Sequence, residues 1–295
     1  MRNRWIIVAV AVLSLLAAAY TAYWFWAARL FERNLATWLD HQRAQGYRIS
    51  FQGSKRAGFP LSVARQFSQV AFEPPPGAQS WQLRAKRLRV GILPWNPGIL
   101  TIDRGAQDAE YEIDWGSGPG KRSFSILNTT GGAAIQLTGE GPASSIEFSY
   151  EPLLIFEDFA SGQQRLAALH DVRGRIDLFA DAASLLDASA SFTMSIGSGS
   201  IDAAARIPLG PTLSQVSLDG KLMGSIPRGP IAEALAAWRD NGGAIELTNA
   251  SVGWGPLFMT GNGTLALDQR LQPLAAGTAR RRGYLAAIDA LVAAG

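Results

Sequence analysis

The sequence predicts a mainly β protein with a few helices: an N-terminal transmembrane helix, then a curved antiparallel β-sheet, open or sandwich-like, with two short helices. Three observations carry this. Residues 5–28 hold no charged side chain. Beyond them, 31 Gly and 15 Pro with only 17% charged residues point to many turns. Apolar and polar residues also alternate in segment after segment, which is the period of a half-buried strand.

The uncharged run comes first. As a helix it is about 36 Å long, enough for a hydrocarbon core of roughly 30 Å with some tilt. Tyr20, Tyr23, Trp24, Phe25 and Trp26 gather at its C-terminal end, where amphipathic rings favour the headgroup layer, and Arg29 and Arg33 follow. Basic residues nearly tie across the segment, with Arg2 and Arg4 before it and Arg29, Arg33 and Arg43 after. The short leading tail favours an N-in anchor with the rest exported. A cleaved signal peptide is the second reading: Arg2 and Arg4 as the charged region, 6–16 as the apolar region, Ala17-Ala18-Ala19 as the small-residue cut. Apolar character continuing past that cut speaks against it. Both readings export the chain.

The expected division is a cytoplasmic tail over 1–4, a transmembrane anchor over 5–28, an amphipathic stalk helix over 29–46 and an exported β-rich domain over 47–295. The stalk rests on Leu30, Phe31, Leu35, Trp38 and Leu39 at three- and four-residue spacing, stopping near Gly46. Tyr47, Ile49 and Phe51 then alternate with polar residues. Val63, Phe67, Val70 and Phe72 continue in alternation broken between 67 and 70, where a bulge or bend is expected. Turn signals at 74–77 and 94–98 frame the next strands. The clearest strand sets Ala109, Tyr111, Ile113 and Trp115 on one side and Glu110, Glu112 and Asp114 on a solvent side. Further strands are expected at 124–127, 133–137, 146–150, 153–156, 169–179, 190–196, 201–207 and 216–222, and then at 245–247, 252–254, 257–260 and 264–267. Pro230 opens a helix that Asn241-Gly242-Gly243 stops, and 284–294 reads as a second. Gly174, Gly220 and Gly263 each open a short alternating strand, an irregular recurrence that turn chemistry explains as well as duplication does.

Lys and Arg number 27 against 24 Asp and Glu, a net +3 spread along the chain, so nucleic acid is not an expected partner. The small clusters at 55–56, 84–89 and 280–282 suit strand edges or anionic headgroups. With no Cys, disulfides and thiol chemistry are excluded. His41 and His170 have no metal-spaced partner, and both read as surface residues. Residues 116–123 imitate a phosphate loop but lack its spacing and read as a hairpin turn. No catalytic motif is found, no cofactor or metal is expected, and the chain is not read as an enzyme.

The aromatic exit WFWAAR, the stalk, Y-R-I-S-F and R-A-G-F-P opening a strand together resemble the bacterial domain-of-unknown-function family 2125. S-V-G-W-G-P-L, G-T-L-A-L-D and the final helix resemble its later part. The family consists of uncharacterised membrane-anchored proteins and is similar in pattern to AsmA-like envelope proteins. The resemblance implies a bacterial inner-membrane protein with a periplasmic domain, and no catalytic residues. Two departures stand out: 278–282 occupies a place where the family carries a strand, and the chain ends early, as if a closing strand were missing. A long sheet with one apolar face needs a cover, and only two soluble helices are expected to provide it. The leading functional expectation is therefore a groove binding or passing lipid or another apolar envelope component, with Phe59, Phe67, Tyr111, Ile113 and Trp115 as lining candidates. The alternative is a structural or interaction protein of the envelope, partnered by other envelope proteins, whose sheet closes over a dry core.

Overall fold

The computed structural model describes residues 2–75, 81–115, 121–137, 143–179, 187–202, 209–227 and 231–294. The anchor and stalk are one uninterrupted helix, α1 (Arg2–Ala44), about 65 Å long at 1.5 Å per residue. It is long and apolar enough to cross a membrane. Gly46, at φ 92°, ends it, a left-handed conformation that costs glycine nothing.

The remainder is one antiparallel sheet. Its strands are β1 (Arg48–Ser50), β2 (Gly53–Ala57), β3 (Val63–Glu73), β4 (Trp81–Leu93), β5 (Asn96–Trp115), β6 (Arg122–Leu137) and β7 (Ala143–Phe159). Then come β8 (Gly162–His170), β9 (Val172–Leu178), β10 (Ala188–Ile196), β11 (Ser198–Ile201) and β12 (Thr212–Met223). After helix α2 (Ile231–Asp240) follow β13 (Ala244–Trp254), β14 (Leu257–Leu267), β15 (Pro273–Arg282) and helix α3 (Tyr284–Ala294). Three pairs act as single bent strands. β1 and β2 both pair with β3, β8 and β9 both with β7, and β10 and β11 both with β12. Read so, every strand pairs with its sequence neighbours in a plain meander. Such local pairing needs only hairpin turns, which the Gly and Pro content supplies. Among the described residues β15 pairs only with β14, and β1 and β2 only with β3, so the sheet is open and does not close on itself.

The bend expected between Phe67 and Val70 is Gln69, at φ 51°. Asp103 in β5 and Asp171 between β8 and β9 share that conformation, at φ 51° and 54°. Gly131 and Gly132 in β6 lie at φ 144° and 149°. These positions interrupt neighbouring strands at similar heights and form a crease across the sheet. One irregular residue shifts the side-chain alternation by one, which lets Phe67 and Val70, three apart, both face α1.

Several expectations are corrected. Residues 169–179 are not one regular strand, because Asp171 splits them. Residues 278–282 do form a strand, the second half of β15, since β14 offers them a full ladder from Asn262↔Thr278 to Phe258↔Arg282. Arg280, Arg281 and Arg282 thereby line an exposed edge, where charge opposes pairing with another chain. In the stalk, Phe31 and Leu35 pack on the sheet, whereas Leu30 and Trp38 stay exposed. Gly77 in the first turn, 116–120, 203–207 and Pro230 lie outside the described residues.

Among the described residues the one large buried cluster lies at the N-terminal end. Trp24, Ala27, Ala28 and Phe31 of α1 press on Val63, Phe67 and Val90, with Leu35, Phe51, Val70, Leu88, Ile92 and Leu100 around them. Spacing of three, four and seven puts those helix residues on one face. A charged clasp adds to the contact: Glu32 accepts from Arg56 at 2.6 and 2.7 Å and from Arg65 at 2.9 Å. Its carboxyl is held below the usual range by the hydrogen bond from Arg56, with both guanidinium charges helping.

Candidate functional site

Cross-strand partners share a face of the sheet, so the register locates the apolar surface. One row runs from Val63 through Ile92, Leu100, Ile135, Ile146, Ile176 and Phe192 to Leu247. Two positions away runs a second row, through Val90, Ile102, Phe148, Met194, Leu218 and Ala250. The intervening positions, on the other face, read Thr101, Ala134, Glu147, Arg175, Thr193 and Asp219. The sheet therefore has one apolar and one polar side across most of its strands.

Glycines shape the apolar side. A Cβ on Gly174 would fall 2.2 Å from the Phe148 ring, and one on Gly220 2.6 Å from the Phe192 ring. Each phenylalanine thus lies flat across the glycine of the next strand. The Gly174 and Gly220 recurrence of the sequence is explained by this overlay. Gly263 pairs with Gly277, and around that bare stretch Leu247, Val252, Met259, Leu265 and Ala275 bound an apolar hollow of about 290 Å³.

The cover over this face is uneven. Beneath α1, Val63 and Phe67 are buried, but Ile135, Ile146, Ile176, Phe192 and Leu247 are only half-buried. Helix α2 crosses the strand ends rather than the face: Trp238 is buried beside Gly224 and Gly243 and donates to the Met223 carbonyl at 2.8 Å. Helix α3 turns Tyr284, Leu285, Ile288 and Val292 outward.

Polar groups interrupt the face at the crease. Asp103 is buried, accepts from the Arg89 backbone amide at 2.7 Å and is hydrogen bonded by the Tyr111 hydroxyl. Burial pushes the Asp103 carboxyl up against those two hydrogen bonds. Burial and the neighbouring Asp103 push the Tyr111 phenol up as well. Asn128 pairs with Ala109 and Leu153, two positions from Tyr111, and so shares the face. It is 2% exposed, and both its side-chain amide atoms lack a hydrogen-bond partner among the described residues.

The five candidate positions fall in three places. Tyr111, Ile113 and Trp115 alternate along β5 on the apolar face, Trp115 being exposed. Phe67 lies on the same face but is buried beneath α1, where nothing else can reach it. Phe59 is on no strand. It sits at the β2–β3 tip with its ring 5.2 Å from Trp24. The far half of the face, from Ile135 to Leu247, was not singled out by the sequence, although its alternation was visible. What single strands could not give was the register that joins them. Asn128 and Asp103 had no sequence signal.

The acidic residues opposite Tyr111 need correction. Glu110 and Glu112 do lie on the other face, but Lys86 and Arg84 pair with them at 2.6 and 3.0 Å. Asp114 is buried rather than solvated, held by Arg84 at 2.8 Å, Lys121 at 2.9 Å and Ser123 at 2.6 Å. Burial raises its carboxyl, yet the hydrogen bonds from Ser123 and Lys121 win and hold it below the usual range. His41 and His170 are exposed, each against one side chain, Gln45 at 2.9 Å and Glu151 at 2.7 Å. Among the described residues no group of three His, Cys, Asp or Glu could hold a metal.

A cavity of about 700 Å³ lies on the polar face, along Glu147, Arg173, Arg175 and Asp219. Arg173 is paired with Asp171 at 2.6 Å, and Arg175 with Asp177 at 2.7 Å and with Glu147. These charges satisfy one another and leave no evident call for an ionic ligand. The half-exposed apolar strip carries the larger unmet energetic demand, because exposed apolar surface costs roughly 25 cal/mol per Å².

A family described as "Uncharacterized protein conserved in bacteria (DUF2125)" matches residues 24–295. No curated protein and no solved structure matches the chain.

Proposed function

We propose, from the premise that the chain belongs to the DUF2125 family and takes no activity from it, that this is a membrane-anchored sheet that binds or passes lipid. The single observation carrying this is the apolar strip from Ile135 to Leu247, which no element among the described residues covers. The ligand class is an acyl chain or another flexible apolar molecule, since the strip is long, shallow and lined by aliphatic and aromatic side chains. Among the described residues Asn128 offers the one unpartnered buried amide on that face to a polar group of the ligand. In this reading α1 holds the protein in a bacterial inner membrane, N-terminus inside, with the sheet in the periplasm. No chemistry is assigned to it.

The test is extraction of the full-length chain in mild detergent and native mass spectrometry. Bound lipid is expected on the unaltered protein and is expected to fall at least tenfold in Ile176→Glu and Leu247→Glu. A chain that carries no lipid, or carries it equally in all three forms, would sink the reading. A second reading, an envelope protein that docks another protein, is favoured by the outward apolar stripe Leu285, Ile288 and Val292 of α3. It expects a protein partner lost on Ile288→Glu, with no lipid bound.

A further inference from the structure

The helix and the sheet meet at the level where the helix should still be inside a bilayer. Tyr20 donates to the Pro60 carbonyl at 2.6 Å, Tyr23 to the Pro94 carbonyl at 2.7 Å and the Trp24 indole to the Ser62 carbonyl at 3.0 Å. Docking thus begins at Tyr20, well before the first charged residue beyond the apolar run, Arg29. Residues 5–19 alone rise roughly 22 Å at 1.5 Å per residue, short of a hydrocarbon core of roughly 30 Å. Reaching that thickness takes in the turns from Tyr20 to Trp26, and those turns already carry two strand tips against them.

The tips are built for that position. The β2–β3 tip presents Phe59 at 56% and Leu61 at 70% exposure, and the two-residue β4–β5 turn presents Trp95 at 62%. Phe25 and Trp26 of α1 are exposed at the same level. Residues 57–64 and 90–102, which form the two tips, contain no charged side chain. The β14–β15 turn, at the same end of the sheet but far from α1 in the strand order, carries Asp268 and Arg270.

We infer that the β2–β3 and β4–β5 tips insert into the bilayer beside α1, with Phe59, Leu61 and Trp95 below the headgroups. The partner is the bilayer that holds α1, and the surface is continuous with the helix's aromatic belt. The strand ends at which the uncovered strip begins, beside the helix-covered part, then lie close to the membrane surface, where lipid can reach them without a long passage through water. The inference rests on α1 as a retained span, not on any bound ligand.

The chain has no cysteine, so single-cysteine variants of the full-length protein need no background changes. Leu61→Cys, Trp95→Cys, Phe159→Cys and Leu13→Cys are labelled with an environment-sensitive fluorophore. Each is reconstituted into phosphatidylcholine–phosphatidylglycerol vesicles containing lipids with nitroxides at set depths. Residues 61 and 95 are exposed, so the labels leave the fold intact. Labels at 61 and 95 should shift to the blue and be quenched at least threefold more by shallow nitroxide lipid than the label at Phe159, at the other end of the strands. Labels at 61 and 95 quenched only from water, like the one at 159, overturn the inference. The label at 13 separates the two failures. If it is deep while 61 and 95 are aqueous, the rim fails alone; if it is absent through cleavage or lies in water, the anchor reading fails and the inference falls with it.

Discussion

The two ends of one apolar face differ in what covers them. Beneath α1 the face is a protein core: Val63, Phe67 and Val90 meet Trp24, Ala27, Ala28 and Phe31, and little of them is left to solvent. From Ile135 to Leu247 the same rows continue with similar side chains and stay half-buried. The difference is not in the strands, which have the same alternation and pairing. It lies in whether a helix is laid over them, so the covered end shows what the uncovered end lacks.

The sharpest break in that comparison is a matched pair of truncations. Phe67→Ala should cost about 3–4 kcal/mol, since it leaves a cavity beneath the helix. Phe192→Ala on the uncovered strip should cost about 1 kcal/mol, because only part of its surface is withdrawn from water. Urea unfolding of the full chain in detergent checks both, and equal costs would mean the two ends are covered alike.

The next effect concerns the clasp that holds the cover down. Glu32→Gln should destabilise by about 1–2 kcal/mol, given charge-assisted hydrogen bonds to Arg56 and Arg65 that are partly open to water. Glu32's carboxyl lies below its ordinary 4.5 in the folded chain. Its stabilisation is therefore present above about pH 4.5 and lost as pH falls through the depressed folded value. Thermal unfolding followed downward from pH 6 should drop more steeply for the unaltered chain than for Glu32→Gln, and parallel curves would refute the linkage.

The smallest effect belongs to the crease. Tyr111→Phe removes one of the two hydrogen bonds on Asp103 and should cost about 1 kcal/mol near neutral pH. Asp103 already has its carboxyl raised from 3.8 by burial. Its contribution is therefore greatest below that value and fades as pH rises through the folded pKa. Losing the Tyr111 bond raises it further, so the cost of Tyr111→Phe should shrink as pH falls toward 4. A pH-independent cost would count against the bond.

The meander was legible because most strands carry their own alternation and are bounded by Gly or Pro turn signals, all local features. The span of α1 and the limits of α3 were legible for the same reason, and so was the bend at Gln69. What the sequence hid was joint information. Residues 278–282 have no strand pattern of their own and become a strand only because β14 borders them. Asp114 looks solvated until Arg84 and Lys121 are brought beside it from other segments. The five lining candidates mixed three environments, since no local pattern tells Phe67 under a helix from Ile113 in the open. The argument against cleavage after Ala19 holds only in part. Of the apolar residues past that cut, Trp24, Ala27, Ala28 and Phe31 are sheltered by the sheet, whereas Tyr23, Phe25, Trp26 and Leu30 stay exposed.

The crossing rows also act as a ruler. From Ile135 in β6 to Leu247 in β13 the path steps through six bent or straight strands, roughly 24 Å at about 4.8 Å between neighbours. One leaflet of a bilayer is roughly 15 Å of hydrocarbon, half the full core. On the proposed lipid-binding reading, the uncovered strip is therefore about one and a half tails long. The length of the strip is set by how many hairpins the chain carries past α1, and adding or deleting one should change that length, and with it any lipid bound under the proposed reading, without disturbing the helix-covered end.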